Sequence, residues 1–173
     1  VSTASEGVYR TSNGGSTWTR LGFSGMTNMK TTGLAVSPAN AGEIFSWTDD
    51  TVFRSTTSAS SWGEHATGIA STAKITDLVL STAYGSDGTA FVGTAAHGVY
   101  KTENSGGAWT NVALDTNGAI RGLGLSPNFG VDNTIFATTA TGGIFRSTDS
   151  GGTWVAVNTG LTGTDFGELA FSN

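Results

Sequence analysis

The stretch Gly143-Ile144-Phe145-Arg146-Ser147-Thr148-Asp149-Ser150-Gly151-Gly152-Thr153-Trp154 decides how the whole chain is read, because it recurs. Copies run from Gly7-Val8-Tyr9-Arg10 to Trp18, from Thr51-Val52-Phe53-Arg54 to Trp62, and from Gly98-Val99-Tyr100-Lys101 to Trp109. The aromatic residues Tyr9, Phe53, Tyr100 and Phe145 and the tryptophans Trp18, Trp62, Trp109 and Trp154 both recur 44, 47 and 45 residues apart. Two landmarks in one register mark an internal repeat whose unit is a supersecondary element.

Working outward, an alternating stretch precedes each later copy: Leu34-Ala35-Val36-Ser37, Leu78-Val79-Leu80-Ser81 and Leu123-Gly124-Leu125-Ser126, with Leu169-Ala170-Phe171-Ser172 as a fourth. A period of two places the leucine and the residue two further on upon one face, which predicts a strand. Turns follow, clearest at Ser86-Asp87-Gly88 and Val131-Asp132-Asn133, and then second strands such as Ala90-Phe91-Val92 and Ile135-Phe136-Ala137. The aromatic segment supplies a third strand and the tryptophan opens a fourth. The chain therefore reads as a single all-β domain over residues 1–173, with repeats at 1–21, 30–65, 74–113 and 119–157 and a closing strand at 167–172. No four-stranded unit can bury both of its faces alone, so neighbouring sheets must stack.

The bend between third and fourth strands carries a family resemblance. Ser147, Asp149, Gly151, Thr153 and Trp154 match the pattern Ser-x-Asp-x-Gly-x-Thr-Trp at every defined position. Thr11, Asn13, Gly15 and Trp18 form a close copy, and Thr102, Asn104, Gly106 and Trp109 a looser one. The segment from Ser55 to Trp62 has lost both the acid and the glycine. A short Asx side chain bonds the turn backbone, glycine admits positive φ, and tryptophan plugs the space between sheets. The chain thus resembles the Asp-box (BNR-repeat) β-propellers of sialidases, xyloglucan-cleaving endoglucanases, sortilin-type receptors and photosystem assembly factors. The resemblance implies four-stranded antiparallel blades, about four of them, and boxes on the face opposite any active site; it implies no single activity.

Val1–Ala4 aligns with Phe91–Thr94 as a second strand, and Gly167–Ser172 reads as a first strand. The C-terminal strand is thus expected to complete the sheet begun at the N-terminus and hide its open edges. The resembling propellers use six or more blades. Three closures remain open: a fragment of a longer ring, a head-to-tail oligomer joined through the terminal strands, and a small closed ring.

Composition narrows the function. The net charge of −5 and only eight Lys and Arg exclude a nucleic-acid partner, which needs clustered cations. No apolar run is long enough to span a membrane, and the start Val1-Ser2-Thr3 reads as a mature or excised piece. There is no cysteine, so neither a disulfide framework nor a thiolate zinc site is available. No Ca²⁺ loop or phosphate loop is present, and neither a metal nor a cofactor is expected.

Sialidase chemistry needs an arginine clamp, yet Arg10, Arg54 and Arg146 occupy one repeat position, with Lys101 at the fourth. Trp47-Thr48-Asp49-Asp50-Thr51-Val52-Phe53-Arg54 looks like the acid-bearing loop of the xyloglucan-cleaving enzymes. Asp49 is the catalytic candidate by that resemblance. Asp77 and Glu168, each standing where Gly33 and Gly122 stand in other repeats, are the candidate second carboxylates. The competing reading makes these acids solvated or bonded to turn amides. Trp47 is the single tryptophan outside the repeated set; with Asp49, Asp50 and His97 it forms the candidate ligand site, or else it fills space between sheets. The expectation is a secreted or cell-surface module that binds or scaffolds a glycan or protein without catalysis. The alternatives are a structural subunit of a surface layer or filament, and a fragment of a polysaccharide-cleaving hydrolase.

Overall fold

The structure is a computed structural model that describes residues 1–112, 114 and 118–171; Ala113 and Ser172, which fall in the expected third repeat and closing strand, lie outside them. Among the described residues the chain forms four antiparallel sheets. The first contains β1 (Ser2–Thr3), β2 (Gly7–Arg10) and β3 (Thr19–Arg20); the second β4 (Gly33–Val36), β5 (Ile44–Trp47), β6 (Val52–Ser55) and β7 (Gly63–Glu64). The third contains β8 (Ile75–Leu80), β9 (Ala90–Thr94), β10 (Val99–Thr102) and β11 (Thr110–Asn111); the fourth β12 (Ile120–Leu125), β13 (Ile135–Thr139), β14 (Ile144–Ser147) and β15 (Val155–Ala156). Each sheet is a meander of consecutive strands, and β4, β8 and β12 pack side by side at the successive seams. This is a β-propeller-type architecture whose sheets do not close into a ring.

Three details correct the sequence reading. The first sheet has three strands, because residues 167–171 do not form a strand on it. They lie instead on the fourth sheet: Thr138 Oγ1 donates to the Gly167 carbonyl at 2.6 Å, and the Phe171 ring packs 5.5 Å from Phe136. A strand needs an edge to pair with, and in the open arrangement residues 167–171 make no ladder with β1. Secondly, Ser2 stands opposite Val8 as Gly93 stands opposite Val99, so the N-terminal strand is one residue out from the alignment of Val1–Ala4 with Phe91–Thr94. Thirdly, two of the turns after first strands are one-turn helices, α1 (Tyr84–Asp87) and α2 (Phe129–Asp132). Each is clasped by its aspartate, which accepts from Ser81 and Thr89 N in one case and from Ser126 and Thr134 N in the other.

The bends before the tryptophans share one hydrogen-bond plan. Ser147 Oγ donates to Asp149 Oδ1 at 2.7 Å and accepts from Gly151 N at 2.8 Å, while Asp149 accepts from Thr153 N and Thr153 Oγ1, both at 2.8 Å. Thr11 with Asn13 and Thr102 with Asn104 reproduce it. The divergent bend keeps it too: Ser55 Oγ accepts from Ala59 N, Thr57 Oγ1 accepts from Ser61 N, and Ala59 holds the left-handed conformation (φ 64°) that Gly15, Gly106 and Gly151 hold elsewhere. The Ser147 hydroxyl and the two Thr153 donors hold the Asp149 carboxyl down to about 2. Because this folded value lies below the unfolded one, the charge-assisted stability is complete above the ordinary carboxylate range and is lost as pH falls toward 2.

Ser147 is fully buried, so Ser147→Ala would strand the Gly151 N–H without a partner. The expected cost is about 1–3 kcal/mol of unfolding free energy, read by urea titration.

Tryptophan then closes each seam. Trp62 and Trp109 are 6% and 3% exposed, and their Nε1 atoms donate to the carbonyls of Gly22 and His65 in the preceding sheet at 2.9 and 2.8 Å; Trp154 does the same to Val112 at 3.1 Å. A further seam bond joins Tyr84 to Glu43, which Arg54 also grips at 2.7 Å. Burial, followed by the bond to the Glu43 carboxylate, pushes the Tyr84 phenol up to about 12.

Candidate functional site

The loops between second and third strands emerge on the face opposite the tryptophan bends, and a threonine pins each of them. Thr94 Oγ1 donates to the Gly98 carbonyl at 2.8 Å and accepts from His97 N at 3.0 Å. Thr139 does so with Gly143 and Gly142, and Thr3 with Gly7 and Glu6. Thr48 takes the same place in the second sheet, accepting from Thr51 N at 3.2 Å and donating to Asp50 Oδ1 at 2.6 Å. Sequence reasoning missed this clasp; its signal is a threonine four residues before the repeat glycine at 3/7, 94/98 and 139/143.

On this face a cleft of about 640 Å³ opens between the first and second sheets. Asp49 and Asp50 line it from the β5–β6 loop, and Asn28, Lys30, Thr31 and Thr32 from the segment entering β4. Asn28 Nδ2 reaches Asp50 Oδ1 at 3.4 Å, and Thr31 Oγ1 donates to the Thr3 carbonyl at 3.0 Å, which ties the two walls together. The Asp49 carbonyl accepts from Ile75 N at 2.7 Å, whereas its exposed carboxylate and the exposed Lys30 ammonium make no hydrogen bond or ion pair among the described residues. Opposite charges, one side-chain amide and two hydroxyls thus share this cleft, a polar set able to bond hydroxyl-rich or peptide-like groups.

Trp47 does not line this cleft. It is 6% exposed and clusters with Phe45, Val52 and Ile75. Its indole lies over Gly33, where a Cβ would come within 2.0 Å of the ring. The Trp47 Nε1 is buried without a hydrogen-bond partner. His97 is exposed in the next sheet's loop, where its Nε2 meets Thr72 Oγ1 at 2.9 Å, so the structure does not bring it to Asp49.

Asp77 and Glu168 are a separate pair. Asp77 Oδ1 accepts from Leu78 N and Oδ2 from Leu123 N, each at 2.8 Å, so the carboxylate staples the third sheet to the fourth. Burial raises its carboxyl above the usual range; the two amide bonds oppose this, and the nearby Glu168 charge adds to it. Glu168 itself is exposed. Among the described residues no group of three or more His, Cys, Asp or Glu is placed to hold a metal ion, and no helix is long and apolar enough to cross a membrane.

The architecture matches solved propeller structures. The GH74 enzyme from Niastella koreensis superposes with a TM-score of 0.71 at 24% identity, covering 90% of this chain and 27% of that one. The extracellular domain of a one-component system from B. thetaiotaomicron gives 0.70 at 16% identity, covering 96% and 22%. The structure of YCF48 bound to D1 peptide gives 0.58 at 16% identity, covering 86% and 46%. The chain therefore spans about a quarter of the first two and under half of the third. At these identities the likeness establishes the fold alone. No protein-family model matches the chain, and no curated protein matches it by sequence.

Proposed function

We propose that the chain is an extracellular Asp-box propeller module that binds a ligand, foremost a carbohydrate, without cleaving it. The observation that carries this reading is the cleft whose Asp49 carboxylate and Lys30 ammonium are unspent and accompanied by Asn28 and Asp50. Such groups bond sugar hydroxyls in pairs, and the flanking strands β4, β5 and β6 hold the loops that carry them close together. The spent oxygens of Asp77, both held by backbone amides, speak for a structural carboxylate. The extracellular assignment is supported by the extracellular domain among the similar structures.

A second reading, a piece of a polysaccharide hydrolase, is favoured by one observation: Asp77 has a raised carboxyl close to a second acid, Glu168. The two readings separate in one experiment. Purified protein is titrated calorimetrically with neutral β-glucan and xyloglucan oligosaccharides while products are followed by chromatography. Binding without cleavage is expected, with at least a tenfold loss in Asp49→Ala and in Asp50→Ala, about 1.4 kcal/mol or more. Cleavage abolished by Asp77→Asn or Asp49→Ala would replace binding with hydrolysis, and the absence of any glycan binding would remove the carbohydrate assignment.

A further inference from the structure

Two seams inside the chain follow one full plan, and the two ends hold the unmatched halves of that plan. At the first seam Trp62 Nε1 donates to Gly22 O, Trp62 N donates to Ser24 O at 2.8 Å, and the Trp62 carbonyl lies 2.0 Å from where a Cβ on Gly25 would sit. At the second, Trp109 Nε1 donates to His65 O, its N donates to Thr67 O at 2.8 Å, and its carbonyl lies 2.1 Å from a Cβ on Gly68. Moving the plan two sheets on makes Val157 O, Thr159 O and Gly160 the corresponding seat on the fourth sheet. Gly160 has φ +87°, beside +88° and +93° at Gly25 and Gly68, yet nothing lies within 4 Å of its would-be Cβ. Neither the Val157 nor the Thr159 carbonyl accepts a hydrogen bond among the described residues. At the other end Trp18, the counterpart of Trp62 and Trp109, is 48% exposed.

The strands tell the same story. Among the described residues the first sheet has no strand outside β1, and a groove of about 340 Å³ lined by Val1, Val8, Trp18, Leu34 and Val36 opens between the first and second sheets. Residues 167–171 occupy on the fourth sheet the place of a following first strand, for Gly122 and Gly124 meet Gly167, Glu168, Leu169 and Phe171. Among the described residues they pair with no strand.

We infer that these two ends join head to tail between two copies of this chain. Residues 167–171 of one copy pair with β1 of the other, and Trp18 seats on Val157, Thr159 and Gly160. The occupant is a second copy because both surfaces are cut from one repeat, and two internal seams already show in full that such surfaces fit, while the third shares the bond from Trp154 Nε1 to the Val112 carbonyl. Both are also apolar: Val1, Trp18 and Val36 are exposed at one end, and Leu161 and Phe171 at the other. A head-to-tail contact leaves a second pair of ends, which the same two copies satisfy by closing. The register Asp77↔Gly93 and Gly122↔Thr138 places Glu168 of one copy opposite Ser2 of the other.

The chain contains no cysteine, so this register is directly testable. Ser2→Cys and Glu168→Cys chains are prepared separately, mixed and oxidised, and light scattering is run on the unsubstituted chain. The expected mass is twice 17.6 kDa, with a disulfide-linked pair only in the mixture. Trp18→Ala should yield a folded monomer, and dilution of the parent should red-shift tryptophan emission. A monomeric parent, a ladder of larger polymers, or a cross-link within single Ser2→Cys/Glu168→Cys chains would each overturn the proposal. The last would show that one chain closes on itself.

Discussion

Trp109→Ala is expected to lower the unfolding free energy by about 3–5 kcal/mol, the usual cost of emptying a buried aromatic site. The indole is 3% exposed and packs in the cluster that includes Phe45, Tyr84 and Val92. Its loss opens the seam between second and third sheets and strands the His65 carbonyl that its Nε1 caps at 2.8 Å. Trp109→Phe keeps most of the apolar contact and loses the hydrogen bond, so about 1–3 kcal/mol is expected there. Urea unfolding followed by circular dichroism checks both. Equal costs for the two variants would show that the hydrogen bond, rather than the packing, holds the seam.

Gly68→Ala should rank close behind. The backbone stands at φ +93°, where an L residue costs about 1–2 kcal/mol, and the new methyl would meet the Trp109 carbonyl oxygen at 2.1 Å. Neither partner is a flexible side-chain tip, so the seam itself must part, adding about 1–3 kcal/mol of overpacking strain. Gly14→Ala supplies the control. Its φ is +67° and nothing lies within 4 Å, so only the backbone cost should appear. The difference between the two variants in the same urea titration isolates the seam. Because both changes part the same seam, the double variant should cost less than the sum of the single ones.

How much of this was legible beforehand follows from the range of each interaction. The bend from Ser147 to Trp154 could be read because its bonds span two to four residues and need a serine, an aspartate and a glycine in fixed order. The threonine clasp of the opposite loops is equally local, yet it hides in a chain dense in threonine, where one hydroxyl four residues before a glycine raises no signal. The seats of the tryptophans were invisible for another reason. Gly22, His65 and Val112 share no side-chain property; each offers only a backbone carbonyl about forty residues away. The candidate cleft was half legible: Asp49 and Asp50 stand out beside a turn, but Asn28 and Lys30 join them only because the segment entering β4 returns to the same face.

Periodicity, turn chemistry and tryptophan spacing alone therefore specify all-β sheets, their strand order and their repeat length, since these depend on contacts within one unit. Trp47 passed from candidate platform to buried filler, and residues 167–171 from closing strand to a segment lying on the fourth sheet, only through packing between units. Such packing rests on carbonyls and shapes that no single residue type encodes, so three dimensions were needed to decide it.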